Sequence, residues 1–206
     1  MSAHQTRTVT GLPFSLAFLL VGSFAPRQAV AQGTWTTKAP LPRPVWSASG
    51  AGVNGVLYIA GGAYSDAIAS AALQAYDPRT DRWTSKAAMP TPRFSACAGA
   101  VNGVLYVVGG GVWDRVRFPP WRYFSTVEAY DPSTGAWTTK ASMHQARSGC
   151  GVAVVNGILY AIAGDDANGR SVDAYDPATD RWTAKAPLPT EHASAAIGVI
   201  NGRIYV

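Results

Sequence analysis

Charge, sulfur and histidine are all scarce in this chain. Only 14% of its 206 residues are charged, against roughly a quarter in an ordinary soluble domain. The 17 basic and 12 acidic side chains leave a net charge of +5 and are scattered along the sequence, so no basic stripe exists for nucleic acid. Two cysteines and three histidines show no zinc-ligand spacing, and there is no phosphate-cradling glycine loop or nucleophile triad. No metal or cofactor is therefore expected. Long apolar runs are missing too. The longest, residues 12–25, has about fourteen residues, short of the roughly twenty that span a bilayer. No helical period follows it.

What the N-terminus does have is the layout of a secretory signal peptide: Arg7, the apolar stretch, then Ala29-Val30-Ala31 before Gln32. Residues 1–31 are read as this leader, residues 32–206 as the mature chain, and the location as periplasmic or secreted. Removing Arg7 and Arg27 with the leader leaves 15 basic against 12 acidic side chains, a net of +3. No membrane span is expected after cleavage.

The mature chain is repetitive. Tryptophans stand at Trp35, Trp83, Trp137 and Trp182, and an Asn-Gly pair follows each by 19 residues, at Asn54, Asn102, Asn156 and Asn201. Tyr-Asp-Pro precedes the last three tryptophans by seven residues, beginning at Tyr76, Tyr130 and Tyr175. A period of this size marks a repeat array. The units run at about 35–82, 83–136, 137–181 and, in part, 182–206. All length variation falls between Asn-Gly and Tyr. Paired strands cannot change length without losing register, whereas surface loops can. Each unit therefore holds constant ladder and one variable loop.

Asn-Gly between apolar stretches predicts a type I′ hairpin, because both central residues need positive φ. Small residues precede it, as in 47–53 and 95–101, and Leu57-Tyr58-Ile59-Ala60-Gly61-Gly62 follows it in the first unit. The third unit ends this strand in Ala163-Gly164, losing one glycine. The Tyr-Asp-Pro strand, an Asp-Pro turn and the short Trp strand complete four antiparallel strands.

Gly-Gly, Tyr-Asp-Pro and Trp at these offsets resemble the Kelch repeat over essentially all of residues 35–206. The resemblance implies an all-β propeller of four-stranded blades, small-residue strand innermost and Trp strand outermost. The tyrosines and tryptophans become packing residues between blades. About three and a half blades are present. Trp35 reads as a lone fourth strand and 201–206 as a second strand cut short, so the ring is expected to need further C-terminal blades. Cys97 and Cys150 fall on the innermost strands of adjacent blades, one position out of phase. Period two then points them to opposite faces, which argues against a bridge and for two small buried thiols.

Function must come from a site, since this fold hosts many activities. The loops between second and third strands share one face with the inter-blade connectors. The longest, residues 111–126, concentrates five aromatics and three arginines, the composition of binding hot spots. Trp113, Arg115, Arg117, Trp121, Arg122 and Tyr123 are its candidate ligand-binding residues. Arg93, Arg147 and His192, each ten residues after a tryptophan, are expected to add a positive rim at the channel mouth. The short acidic loop 165–170 reads as a solvated turn rather than a calcium site. Kelch domains mostly bind without catalysis, so the resemblance implies a binding module holding a protein or glycan on this face. It also extends to exported propellers such as galactose oxidase and the sialic acid epimerases. No Tyr-Cys-His cluster supports a copper site, whereas rim acid/base groups leave the epimerase alternative open.

Overall fold

The structure, a computed structural model, describes residues 34–64, 68–114, 116, 118, 120–165 and 169–206. The leader reading and the centre of the acidic loop lie outside them. Lys38–Val206 form one compact unit, and Met1–Thr37 are assigned to another. Trp35 is fully exposed and lies in no strand.

Three four-stranded antiparallel sheets follow one another. The first runs β1 (Ser49–Val53), β2 (Val56–Ala60), β3 (Leu73–Asp77) and β4 (Arg82–Lys86), hydrogen-bonded in that order. The second has β5 (Cys97–Val101), β6 (Val104–Val108), β9 (Val127–Asp131) and β10 (Ala136–Lys140). Between β6 and β9 it carries an inserted two-stranded ribbon, β7 (Gly111–Trp113) and β8 (Trp121–Tyr123). The third is β11 (Gly151–Val155), β12 (Ile158–Ile162), β13 (Val172–Asp176) and β14 (Arg181–Ala184). A pair, β15 (Gly198–Ile200) with β16 (Arg203–Tyr205), begins the next unit. The protein is all-β, and the blades are not closed into a ring.

Local chemistry explains these strands. Asn54, Asn102, Asn156 and Asn201 have φ of 50–51° and their glycines 72–80°, the double positive φ of a type I′ turn. In the register each Tyr faces its Trp: Tyr76–Trp83, Tyr130–Trp137 and Tyr175–Trp182, with ring centroids 5.0–5.2 Å apart. Gly61 and Gly109 adopt φ of 67° and 63°, and a Cβ there would lie 2.4 Å from the Arg93 or Arg147 carbonyl oxygen. Ala163 holds the same turn at φ 57°, which is how the third unit dispenses with its first glycine.

The core lies between sheets rather than within any one. Val53, Tyr58, Leu73 and Ala75 of the first blade pack on Leu105, Val107 and Tyr130 of the second. Val101, Tyr106, Val108 and Val127 meet Leu159, Ala161 and Tyr175 of the third. Each fully buried Leu, Val or Tyr side chain contributes roughly 1.5–3 kcal/mol, available only with a neighbouring blade in place.

The innermost strands are also joined covalently. Cys97 and Cys150 form a disulfide with Cα atoms 5.7 Å apart. The expectation of two free thiols was wrong. Adjacent blades face each other with opposite sides, so opposite side-chain parity is what brings two residues together across the gap. Cys97, Gly99 and Val101 point toward the third blade, while Cys150 and Val152 point back. A Cβ on Gly99 would come 2.5 Å from Val152 Cγ1, so only glycine fits there.

A polar latch ties each Trp strand to the connector arriving from the preceding blade. The indole N–H of Trp83, Trp137 and Trp182 donates to the carbonyls of Ala39, Ala87 and Ala141 at 2.8–2.9 Å. Asp81 accepts from Ala39 N (2.9 Å) and Tyr76 Oη (2.5 Å), and Asp180 accepts from Ala141 N (2.9 Å) and Tyr175 Oη (2.6 Å). The Ala39 amide and the Tyr76 hydroxyl hold the Asp81 carboxyl below its usual range, and Tyr175 with Ala141 does the same for Asp180. In return, the Tyr76 phenol is pushed up to about 12 by its bond to Asp81. A carboxylate depressed on folding contributes stability above its unfolded value, about 3.9, and loses it as pH falls through the folded value. Acid titration should therefore lower the melting temperature below about pH 4. Asp81→Asn/Asp180→Asn should flatten that limb, and an unchanged acid limb would show that other carboxylates set it.

The second blade lacks the latch carboxylate. Gly135, at φ 72°, stands where Asp81 and Asp180 have φ of 54° and 53°, and a Cβ there would meet nothing within 4 Å. Gly135→Asp should let a carboxylate accept from Tyr130 Oη and Ala87 N. The expected gain is about 1 kcal/mol, two hydrogen bonds less the cost of a left-handed aspartate. A melting temperature at or below that of the parent protein would refute this.

Candidate functional site

Strands two and four of every blade end on the same face, so the variable loops and the inter-blade connectors meet there. Two connector residues, Trp46 and Phe94, precede the left-handed turns at Ser47 and Ser95. Each forms a backbone bridge to the chain after its Gly-Gly pair, Trp46 with Ala63 and Phe94 with Gly111. This sets the two rings side by side at the inner end of the face, centroids 5.3 Å apart.

The ribbon β7–β8 extends that pair outward. Trp113 lies opposite Trp121 in its register, with ring centroids 4.4 Å apart and planes at 83°. Trp121 in turn meets the edge of Phe94 at 5.8 Å. A continuous row, Trp46–Phe94–Trp121–Trp113, thus crosses from blade one to the ribbon of blade two. Phe94 is buried, whereas Trp46, Trp121 and Trp113 are 44%, 43% and 41% exposed. Trp46 Nε1 donates to the Tyr64 carbonyl at 2.9 Å, and Arg43 stacks on the Tyr64 ring 3.4 Å from its centroid. Together with Pro44 and Val45 these residues line a mostly apolar groove of about 460 Å³.

The loop candidates divide accordingly. Trp113 and Trp121 join the row, and Tyr123 is partly exposed at the end of β8. Arg122 lies 5.4 Å from the Phe124 ring. Arg115 and Arg117 are outside the described residues. Trp46, Phe94 and Tyr64 had not been singled out, because connector residues look like ordinary loop until the bridges to Ala63 and Gly111 place them. The ribbon itself was also unforeseen, since residues 111–126 do not alternate as a strand pair should.

The expected positive rim does not exist in the form foreseen. Arg93 and Arg147 are fully buried. Arg93 Nη2 lies 2.5 Å from Glu128 Oε2, and its Nη1 donates to the Gly109 and Thr126 carbonyls at 2.9 and 3.1 Å. Thr91 Oγ1 donates to the other Glu128 oxygen at 2.7 Å. Arg147 pairs with Asp173 and donates to the Ser171 carbonyl at 3.3 Å. Burial pushes the Arg93 guanidinium down, and Glu128 offsets part of that shift. These arginines tie each connector to the third strand of the blade it enters. The acid stands two residues before Tyr130 and Tyr175, and the first repeat lacks both partners, with Val45 and Gln74 in their places.

His192 remains partly exposed, its Nε2 2.9 Å from Thr190 Oγ1. His144 is more distinctive. Its ring is half exposed while Nδ1 lies 3.2 Å from the buried carboxylate of Asp173, which leaves Nε2 directed away from that pair. Among the described residues no three His, Cys, Asp or Glu side chains gather into a metal-holding group.

Comparison with known proteins agrees with this architecture. The family model of the KLHDC2/KLHL20/DRC7 Kelch-repeats domain matches residues 25–206. The chain belongs to the Kelch-repeat family. It is 32% identical over 138 residues to Kelch-like protein 35 of Mus musculus, an alignment covering 67% of this chain and 22% of that protein. Among solved structures it is similar to one titled "Structure of YjhT", at 24% identity and a TM-score of 0.65, over 76% of this chain and 54% of that one. That likeness shows the Kelch propeller fold. The chain thus spans about half or less of the relatives it matches. Kelch repeats commonly bind proteins, and no helix among the described residues is long and apolar enough to cross a membrane.

Proposed function

We propose that this chain is an exported, non-catalytic Kelch binding module that holds a protein or glycan on its loop face. The exposed row Trp46–Trp121–Trp113 is the observation that carries this reading. Exposed aromatics fixed by edge contacts lose little conformational freedom on binding, and such side chains dominate interface energetics. Export is supported by the leader-like sequence 1–31 and by the Cys97–Cys150 disulfide, a bond that persists in oxidising compartments.

Panning a displayed peptide library and a glycan array on the mature chain tests the proposal. Trp46→Ala and Trp121→Ala should each weaken the selected ligands at least about tenfold, roughly 1.4 kcal/mol. Ligands indifferent to both changes would put recognition elsewhere. A second reading, part of a carbohydrate-active propeller enzyme, draws on His144. Its imidazole is oriented by a buried carboxylate, as a general base requires. Turnover of a sugar substrate lost in His144→Gln would favour that reading.

A further inference from the structure

The polar latches of the three blades are built alike except for one group. In blades one and three a connector amide and a tyrosine hydroxyl donate to a carboxylate, Asp81 or Asp180. A lysine stands just before each connector alanine, at Lys38, Lys86 and Lys140. The Ala39 amide and Tyr76 hydroxyl hold the Asp81 carboxyl down, and Lys38 adds to their pull. At Asp180 the Tyr175 hydroxyl and Ala141 amide are joined in the same way by Lys140. Blade two keeps every donor in the matching place: Tyr130, Ala87 and Lys86. It also keeps the indole bond, from Trp137 Nε1 to the Ala87 carbonyl at 2.8 Å. Only the acceptor is different, since Gly135 carries no carboxylate. Tyr130 is 2% exposed, yet among the described residues neither its hydroxyl nor the Ala87 amide has a hydrogen-bond partner. Leaving a buried donor unmatched is costly.

Beside these donors the first blade forms a groove of about 610 Å³, lined by Tyr58, Thr80, Arg82, Thr84 and Lys86 among others. Tyr58 connects the groove to the latch, because its ring centroid lies 5.8 Å from that of Tyr130. The one carboxylate in the lining, Asp77, is already paired with Arg79 at 3.1 Å. Arg82 and Lys86 are thus left to set the sign of the groove. We infer that it is a binding site for a small organic acid, whose carboxylate accepts from Tyr130 Oη and Ala87 N as Asp81 and Asp180 do in their own blades. The same donors hold a carboxylate twice elsewhere in this chain, so the geometry is one the fold already uses. Hydrogen bonds to an ionised acceptor are the stronger kind, and the Trp137 indole fixes the connector that carries one of the donors. A small acid fits better than a protein side because Tyr130 is buried between facing blades, where only a compact group can reach it. Hydroxyls of Tyr58, Thr80 and Thr84 along the groove suit a ligand body that carries hydroxyl groups itself. This site shares no residue with the Trp46–Trp121 row and does not depend on the loop-face reading.

Calorimetric titration and melting curves with sodium glucuronate test the inference, against sodium chloride at equal ionic strength and the uncharged methyl ester of the same acid. Glucuronate should bind with an affinity on the order of millimolar and raise the melting temperature above that in chloride. The ester should bind at least about tenfold more weakly. Tyr130→Phe and Lys86→Met should each weaken glucuronate at least about fivefold, since each removes one favourable contact with the ionised group. Gly135→Asp supplies the carboxylate from within the chain and should abolish the response. Peptides selected on the loop face should bind that variant as they bind the parent protein. Equal effects of glucuronate and chloride, equal binding of acid and ester, or a response that survives Gly135→Asp overturns the inference. Should Gly135→Asp fail to fold, Tyr130→Phe decides, and an unchanged affinity there refutes the site. Stabilisation by an aspartate-containing peptide but by no free acid would assign the groove to a protein side chain and also overturn it.

Discussion

Glu128→Gln should destabilise the protein by about 3–5 kcal/mol, because it strands the Arg93 guanidinium without a counter-charge in a fully buried site. The remaining partners, the carbonyls of Gly109, Thr126 and Thr91, can satisfy its N–H groups but cannot neutralise it. The double variant Arg93→Val/Glu128→Gln removes the charge along with its partner and reproduces what the first repeat already has at Val45 and Gln74. Exchanging both members of a buried ion pair for uncharged groups is often close to neutral. The double variant should therefore recover most of the loss despite carrying the greater change. Urea unfolding of the three proteins checks this. A double variant as unstable as the single one would mean that the carbonyl contacts, not the charge balance, hold the connector. Arg147 and Asp173 should behave alike, with the addition that Asp173→Asn also releases His144.

Loss of the Cys97–Cys150 bond is the other large effect. The bond closes a loop of 53 residues, for which chain entropy gives a stabilisation of about 4 kcal/mol. In a chain of this size that corresponds to a fall in melting temperature on the order of 10 °C. Cys97→Ser/Cys150→Ser and reductant-treated parent protein should melt together, below the oxidised parent. The bond joins innermost strands of neighbouring blades, so its loss should act first on the contact between blades two and three. Amide exchange in β5 and β11 should speed up before that in β1 and β2. Oxidised and reduced protein melting at the same temperature would show that the blades hold together by packing alone. The same sample bears on export. Protein recovered from the cell exterior or periplasm should begin near Gln32 and carry no free thiol, and a cytoplasmic product retaining Met1 would refute the proposed location.

The fold was legible because its signals are local. Asn-Gly fixes a hairpin through two positive φ values, and Tyr seven residues before Trp fixes a cross-strand pair. Repetition then multiplies each signal. The loop-face residues were legible only in part. Trp113 and Trp121 stood out by composition, but Trp46 and Phe94 belong to connectors whose place depends on bridges to distant chain. Arg93 and Arg147 misled because a cation in a loop reads as solvated. Their counter-charges, Glu128 and Asp173, lie 35 and 26 residues away in sequence, and only packing brings them close.

By itself, then, the sequence determined the four strands of each blade, their register and the class of repeat, since turn chemistry and side-chain alternation act over a few residues. The tertiary structure decided everything that happens between blades. It made Cys97 and Cys150 partners because facing sheets present opposite sides, where parity within each strand had argued against them. It turned two arginines inward because a connector entering a blade passes the acid on that blade's third strand. It lined up four aromatic rings from three separate segments, which share a face only because successive blades all end their second and fourth strands on the same side.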